Sequence, residues 1–121
     1  MFEADLHQTL TTVCPRVYPD VAPEPLPARP FAVYQQIGGE TINPVAVPTR
    51  DDVPNKTQAR MQIAVWASTR MSASETMRQI EIAMRMASAF QASPLGGFTS
   101  DYEPDTRLYG ARQDFGVIHQ V

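Results

Sequence analysis

The residue types that carry out most side-chain chemistry are scarce in this sequence. Its 121 residues include one cysteine, Cys14, and two histidines, His7 and His119. A single cysteine excludes an intrachain disulfide, and a reducing compartment is the matching expectation. The histidines lie near opposite ends of the sequence and show no ligand spacing such as HExxH, so both read as surface or rim residues and not as metal ligands. Cys14 directly precedes Pro15 at the end of a predicted helix, where the helix dipole raises a thiol pKa, and it reads as an inert thiol. The phosphate loops GxGxxG and GxxxxGK(S/T) are missing; Gly38–Gly39 and Gly96–Gly97 read as turns. Charge is sparse as well: 10 Lys plus Arg stand against 13 Asp plus Glu, a formal net charge of −3. That leaves no basic stripe for counterion release, so specific nucleic-acid binding is not expected. No apolar run approaches the roughly 20 residues that span a bilayer. Met1 to Asp5 lacks the basic start and apolar stretch of a secretory signal. A soluble, intracellular protein with no membrane partner is expected.

What is present suits one folded domain over residues 1–121. Hydrophobic residues make up 43% and charged residues 19%, a balance that supports a core and argues against disorder. Phe2, Leu6, Leu10 and Val13 recur at helical spacing, and Pro15 stops that helix. Six prolines from Pro15 to Pro30 predict an extended connector laid over the surface. Phe31–Ile37 reads as a strand closed by a Gly38–Gly39 turn, with Thr41–Val47 pairing back as an edge strand. Arg50, Asp51, Asp52, Val53, Pro54 and Asn55 form a polar segment expected to be mobile and to order on assembly.

Thr57–Ala67 carries the clearest alternation. Ala59, Met61, Ile63, Val65 and Ala67 belong on a core, and the opposite, more polar face ends in Trp66. Ser72 and Glu75 match a capping box for a long helix to Phe90, with Met77, Ile80, Met84 and Ala87 on its inner stripe and Ile82, Met86 and Phe90 widening it. Phe98–Tyr102 and Arg107–His119 complete the set, with Tyr109, Ala111, Phe115 and Val117 on one face of the last strand. The expected class is α+β: a mostly antiparallel sheet of about 4–5 strands, with the N-terminal helix and the long helix on one face.

Candidate sites are few. Asp101, Glu103 and Asp105 could suggest calcium, but Pro104 breaks the ligand pattern and a solvated acidic hairpin is the simpler reading. Met77, Met84 and Met86 at helical spacing suit a helix packed on the sheet better than an open groove. Trp66 points away from the core face. It reads either as an interface anchor or as a residue covered by the proline-rich segment of the same chain.

Four segments in order carry a resemblance: the N-terminal helix leading into Arg16-Val17-Tyr18-Pro19; Val33-Tyr34-Gln35-Gln36-Ile37; Arg60 to Ala67 before a polar turn and long helix; and the closing Gln113-Asp114-Phe115. Together they resemble the tail-completion, tail-terminator-like family of phage proteins, over nearly the whole chain. The resemblance implies a structural protein with no catalytic residues, no cofactor and no metal. It implies a ring, expected to be a hexamer, that caps the head-proximal end of the tail tube and joins it to the head. Partners would be further copies of itself, the major tail tube protein and head-connector proteins. The place would be the bacterial cytoplasm during assembly and then the virion tail. Candidate subunit contacts are Trp66, Arg60, Gln62, Thr41, Val45, Val47 and Tyr102, with 50–55 as the assembly loop. The alternative is a small-molecule or protein-binding accessory module encoded by a prophage; an enzyme is the third and weakest reading.

Overall fold

Alternating apolar and polar residues make the two longest neighbouring strands, and everything else is arranged on them. The computed structural model describes residues 2–41 and 56–120. In chain order the elements are α1 (Phe2–Thr11), β1 (Val17–Pro19), β2 (Phe31–Thr41), β3 (Lys56–Ala67), α2 (Arg70–Met86), β4 (Gln91–Pro94), β5 (Thr99–Glu103) and β6 (Leu108–Gln120). They form a six-stranded sheet of order β1-β2-β3-β6-β4, with β5 also pairing β6. β3 and β6 pair antiparallel without a break from Lys56↔Gln120 to Ala67↔Tyr109. The second edge of β6 is shared: β4 takes Phe115 to Ile118, and β5 takes Leu108 to Arg112. Among the described strands only the β1–β2 pair is parallel. The class is α+β as expected, with more strands than expected.

On the inner face, Ala59, Met61, Ile63, Val65 and Ala67 of β3 are buried beside Ala111, Phe115 and Val117 of β6. Leu6 and Leu10 of α1 and Ala73, Met77, Ile80 and Met84 of α2 join the same core, so both helices cover one face. Gln113 is the buried polar residue of this face. Its Nε2 donates to Glu81 Oε1 at 2.8 Å and to the Gly96 carbonyl at 2.9 Å, which satisfies the amide and ties β6 to α2 and the β4–β5 loop.

Four expectations are corrected. β1 forms inside the proline-rich stretch, because Val17 and Tyr18 are free of proline and Pro19 sits at the strand's end on the sheet edge, where a missing donor is tolerated. Gly38–Gly39 is a bulge within β2 and not a turn, since the register with β3 shifts between Gln36 and Gly39. Gly39 has φ +153° and lies so close to β3 that a Cβ would meet the Gln58 carbonyl oxygen at 2.1 Å, so no larger residue fits. β2 is described to Thr41; the rest of the predicted return strand and the 50–55 loop lie outside the described residues.

The remaining two corrections concern α2. It starts earlier and ends sooner: Thr69 is the N-cap and accepts the Ser72 amide at 3.1 Å, while Glu75 bonds Gln79 along the helix in place of a capping box. The helix stops at Met86, and Phe90 returns to the core from the loop ahead of β4, itself a strand where helix end and loop were expected. Ile82 and Met86 do not widen the inner stripe; they are 52% and 79% exposed. Each lies two residues from an inner residue, about 200° around a helix of 3.6 residues per turn. Thr69→Ala should lower stability by about 1 kcal/mol in denaturant melts, whereas Ser72→Ala, which leaves this cap in place, should stay within about 0.5 kcal/mol of the parent.

Candidate groove on the outer sheet face

Among the described residues no helix covers the opposite face of β2, β3 and β6, and its residues follow from the same alternation. Phe31↔Trp66 and Trp66↔Gly110 are directly opposed pairs across three strands. A Cβ on Gly110 would meet Trp66 Cζ3 at 2.7 Å, so the indole lies against the β6 backbone at a position where no side chain blocks it. Phe31 and Leu108 are buried on this face, outside the principal core. Together these residues floor a groove of about 370 Å³.

Its two walls come from different parts of the chain. Asp20, Val21, Ala22 and Leu26 of the proline-rich segment form one; Asp101 and Glu103 of β5 with Thr106 of the following turn form the other. Asp20 has φ 63°, the left-handed region that Asp enters more readily than most residues, and so redirects the chain as it leaves β1. Arg16 fixes the far end of the segment: its Nε donates to the carbonyls of Ala28 at 2.7 Å and Pro30 at 3.2 Å. Across the groove, Arg70 at the start of α2 donates through Nη2 to the carbonyls of Asp101, at 3.0 Å, and Gly110, which holds β5 and β6 to the helix.

The rim is acidic, with Asp20, Asp101 and Glu103 against Arg112. Asp101 Oδ1 accepts the Tyr102 amide at 2.9 Å and Glu103 Oε1 accepts the Asp105 amide at 3.0 Å, so these carboxylates shape the β5–β6 turn. Among the described residues, no group of three or more His, Cys, Asp or Glu is placed to hold a metal ion. Further along the face, Arg60 pairs with Asp114 at 3.0 Å and Gln62 Nε2 donates to the same carboxylate at 3.4 Å.

The structure thus brings Trp66 and Gln62 into one groove and sets Arg60 beside it. It does not bring Tyr102, which lies on the helix side of β5 against Tyr109, ring centroids 4.9 Å apart. β2 is described to Thr41, and Val45 and Val47 lie outside the described residues. The proline-rich segment walls the groove of Trp66, which itself stays half-buried. Asp20 and the floor residue Leu108 were not singled out from the sequence, and Asp101 and Glu103 were read only as part of a solvated acidic hairpin. Gly110 opposite Trp66 was the available signal, because a glycine inside a strand marks a close approach.

The scarce reactive residues lie elsewhere. His119 stacks on Phe2 with centroids 3.9 Å apart, and His7 meets Tyr34 edge-on at 6.2 Å. Cys14 is buried, with its Sγ near the carbonyls of Arg16 and Pro30; burial pushes its pKa up, opposite to what a nucleophile needs. Burial first, then Glu3 and Asp20, raise the Tyr34 hydroxyl as well.

A family model described as tail completion protein gp17 matches residues 4–120. The chain belongs to this tail completion family. The match runs from the first turn of α1 to the end of β6 and takes in both walls of the groove and the Trp66 floor. Membership gives the protein a structural part in a phage tail and a place in the virion tail. No curated protein matches the chain in a sequence search. No helix among the described residues is long and apolar enough to cross a membrane.

Two outcomes follow for this tail protein. Gly110→Ala should displace the indole, lower stability by about 1–3 kcal/mol and shift the emission of Trp66, the chain's one tryptophan; an unchanged spectrum would show the ring lying elsewhere. The folded state holds the Cys14 proton more tightly than the unfolded state does. The associated stability is therefore intact below the ordinary thiol pKa and is lost as pH rises through the raised value. Alkaline melts of the parent and Cys14→Ala should converge as pH climbs past about 8.5, and parallel curves would refute the assignment.

Proposed function

We propose that this tail completion protein works as a subunit of a homo-oligomeric ring, expected to hold six copies, that caps the head-proximal end of the tail tube and joins it to the head. It performs no catalysis and needs no cofactor; its work is done by shape and contact. The observation that carries the reading, beside family membership, is the sheet's two-sidedness. Helices cover one face and a preformed groove opens on the other. A ring requires such unlike surfaces, because each copy must present one patch to the neighbour on its left and a different patch to the neighbour on its right. The further partners are the tail tube protein and the head connector, and assembly takes place in the bacterial cytoplasm.

The groove volume also falls in the range of small-ligand sites, which keeps a binding module as the second reading. A ligand copurifying in native mass spectrometry at one per chain would favour it. For the ring, tails from a strain lacking this protein should carry uncapped or overlong tubes by electron microscopy. The assembled protein should weigh close to six times 13.4 kDa. Normal tails without it would sink the proposal.

A further inference from the structure

The outer side of α2 and the outer groove are complementary, and they lie on opposite sides of one sheet. The groove offers an apolar floor around Trp66 and an acidic rim of Asp20, Asp101 and Glu103 against a single guanidinium, Arg112. α2 offers the reverse. Arg78, Ile82, Arg85 and Met86 follow at spacings of 4, 3 and 1, which sets them on one stripe, and all four are exposed. The core stripe of the helix, Ala73, Met77, Ile80 and Met84, is fully used. The outer stripe is a second one, with Arg78 and Arg85 along one flank and Ile82 and Met86 along the other. Arg85 is not held firmly within its own chain: its contact with Glu81 is 3.9 Å, and Glu81 also accepts from Gln113. An amphipathic helix laid on an apolar groove is a recurring mode of recognition, and opposite charge at the rim selects partner and orientation.

We infer that α2 of one copy docks across the groove of the next copy, with Ile82 and Met86 set toward the Trp66 floor and Arg78 and Arg85 against Asp101 and Glu103. The inference rests on the self-assembly reading above and names its interface. A second copy is the occupant because the matching charge pattern sits on this same chain. The geometry agrees. A copy that receives a helix on one side of its sheet still presents its own helix on the other, so the contact is heterologous and repeats until rotation closes it into a ring. The volume of about 370 Å³ suits inserted side chains and not a whole helix, so α2 lies across the rim.

The test is a charge swap on the full chain, read by mass photometry and sedimentation alone and with purified tail tubes. Asp101→Lys with Glu103→Lys makes a groove variant; Arg78→Glu with Arg85→Glu makes a helix variant. Arg78, Arg85 and Asp101 are exposed and Glu103 is half-buried, and far-UV circular dichroism with thermal melts reports whether the fold is kept, because Trp66 emission would itself respond to docking. Each variant alone should self-associate about tenfold or more weakly than the parent. A 1:1 mixture should recover assembly, because the reversed groove accepts the reversed helix and the parental groove of the helix variant accepts the parental helix of the other. The recovered particles should contain both variants in equal number. Association of the parent should weaken as salt is raised.

Variants that each assemble like the parent would overturn this interface and leave the ring reading standing. Variants that each fail and stay separate when mixed would overturn it too, since the defect would not be a matter of pairing. Rings that persist while binding to tubes is lost would assign the groove to the tube protein and not to a second copy. A parent that stays a single chain both alone and on tubes would overturn the ring reading itself, and this interface with it.

Discussion

The unbroken antiparallel register between β3 and β6 is the constraint on which the other features depend. It fixes which residues face the helices and which face outward over the whole span from Lys56↔Gln120 to Ala67↔Tyr109. A slip of one residue would send Met61, Ile63 and Val65 to the outer face and bring Gln62, Ala64 and Trp66 inward. It would also remove Trp66 from its place opposite Gly110, whose missing side chain lets the indole lie close against the neighbouring strand. Core and groove are therefore two results of one pairing. The buried amide of Gln113 strengthens the choice, because its two acceptors, on Glu81 and Gly96, are available only when β6 stands in this register.

Period-based reading works where the period is long and fails where an element is short or is defined by its neighbours. β3, β6 and α2 were legible because each repeats its pattern several times. β1 was not: Val17–Pro19 is too short to show alternation, and it is a strand only because the edge of β2 is there to receive it. β4 was hidden in the same way behind Ser93, Pro94 and the following glycines. At Gly38–Gly39 the local requirement for glycine was seen, but a bulge and a hairpin turn ask for the same residue, and the deciding factor was the approach of Gln58 from the partner strand. For Ile82 and Met86 the error was one of phase. Both are apolar and helical, yet the helix turns them away from the residues beside them in the sequence.

The groove was legible only in part for a related reason. Alternation placed Trp66 on the outer face. The path of a proline-rich segment leaves no periodic trace, so which residues it lays beside Trp66 was not readable. That path is set by contacts distant in sequence: Arg16 reaching Ala28 and Pro30, and the Asp20 amide donating to the Tyr34 carbonyl at 2.8 Å. The acidic residues of the β5 hairpin were visible as a cluster, but their meaning changes once Asp20 is brought to the opposite rim.

Proline gives that wall a further property. A segment with its φ angles already restricted loses less conformational freedom when it is fixed in place, so a wall built from it is ordered at low entropic cost. Anchored by Arg16 at one end and by β1 at the other, it stands formed before any partner arrives. Binding to a preformed groove avoids the ordering cost that a flexible surface imposes, so a modest contact area suffices for association. The same sequence that is poor in nucleophiles is rich in prolines at the one place where a rigid wall stands beside an aromatic floor.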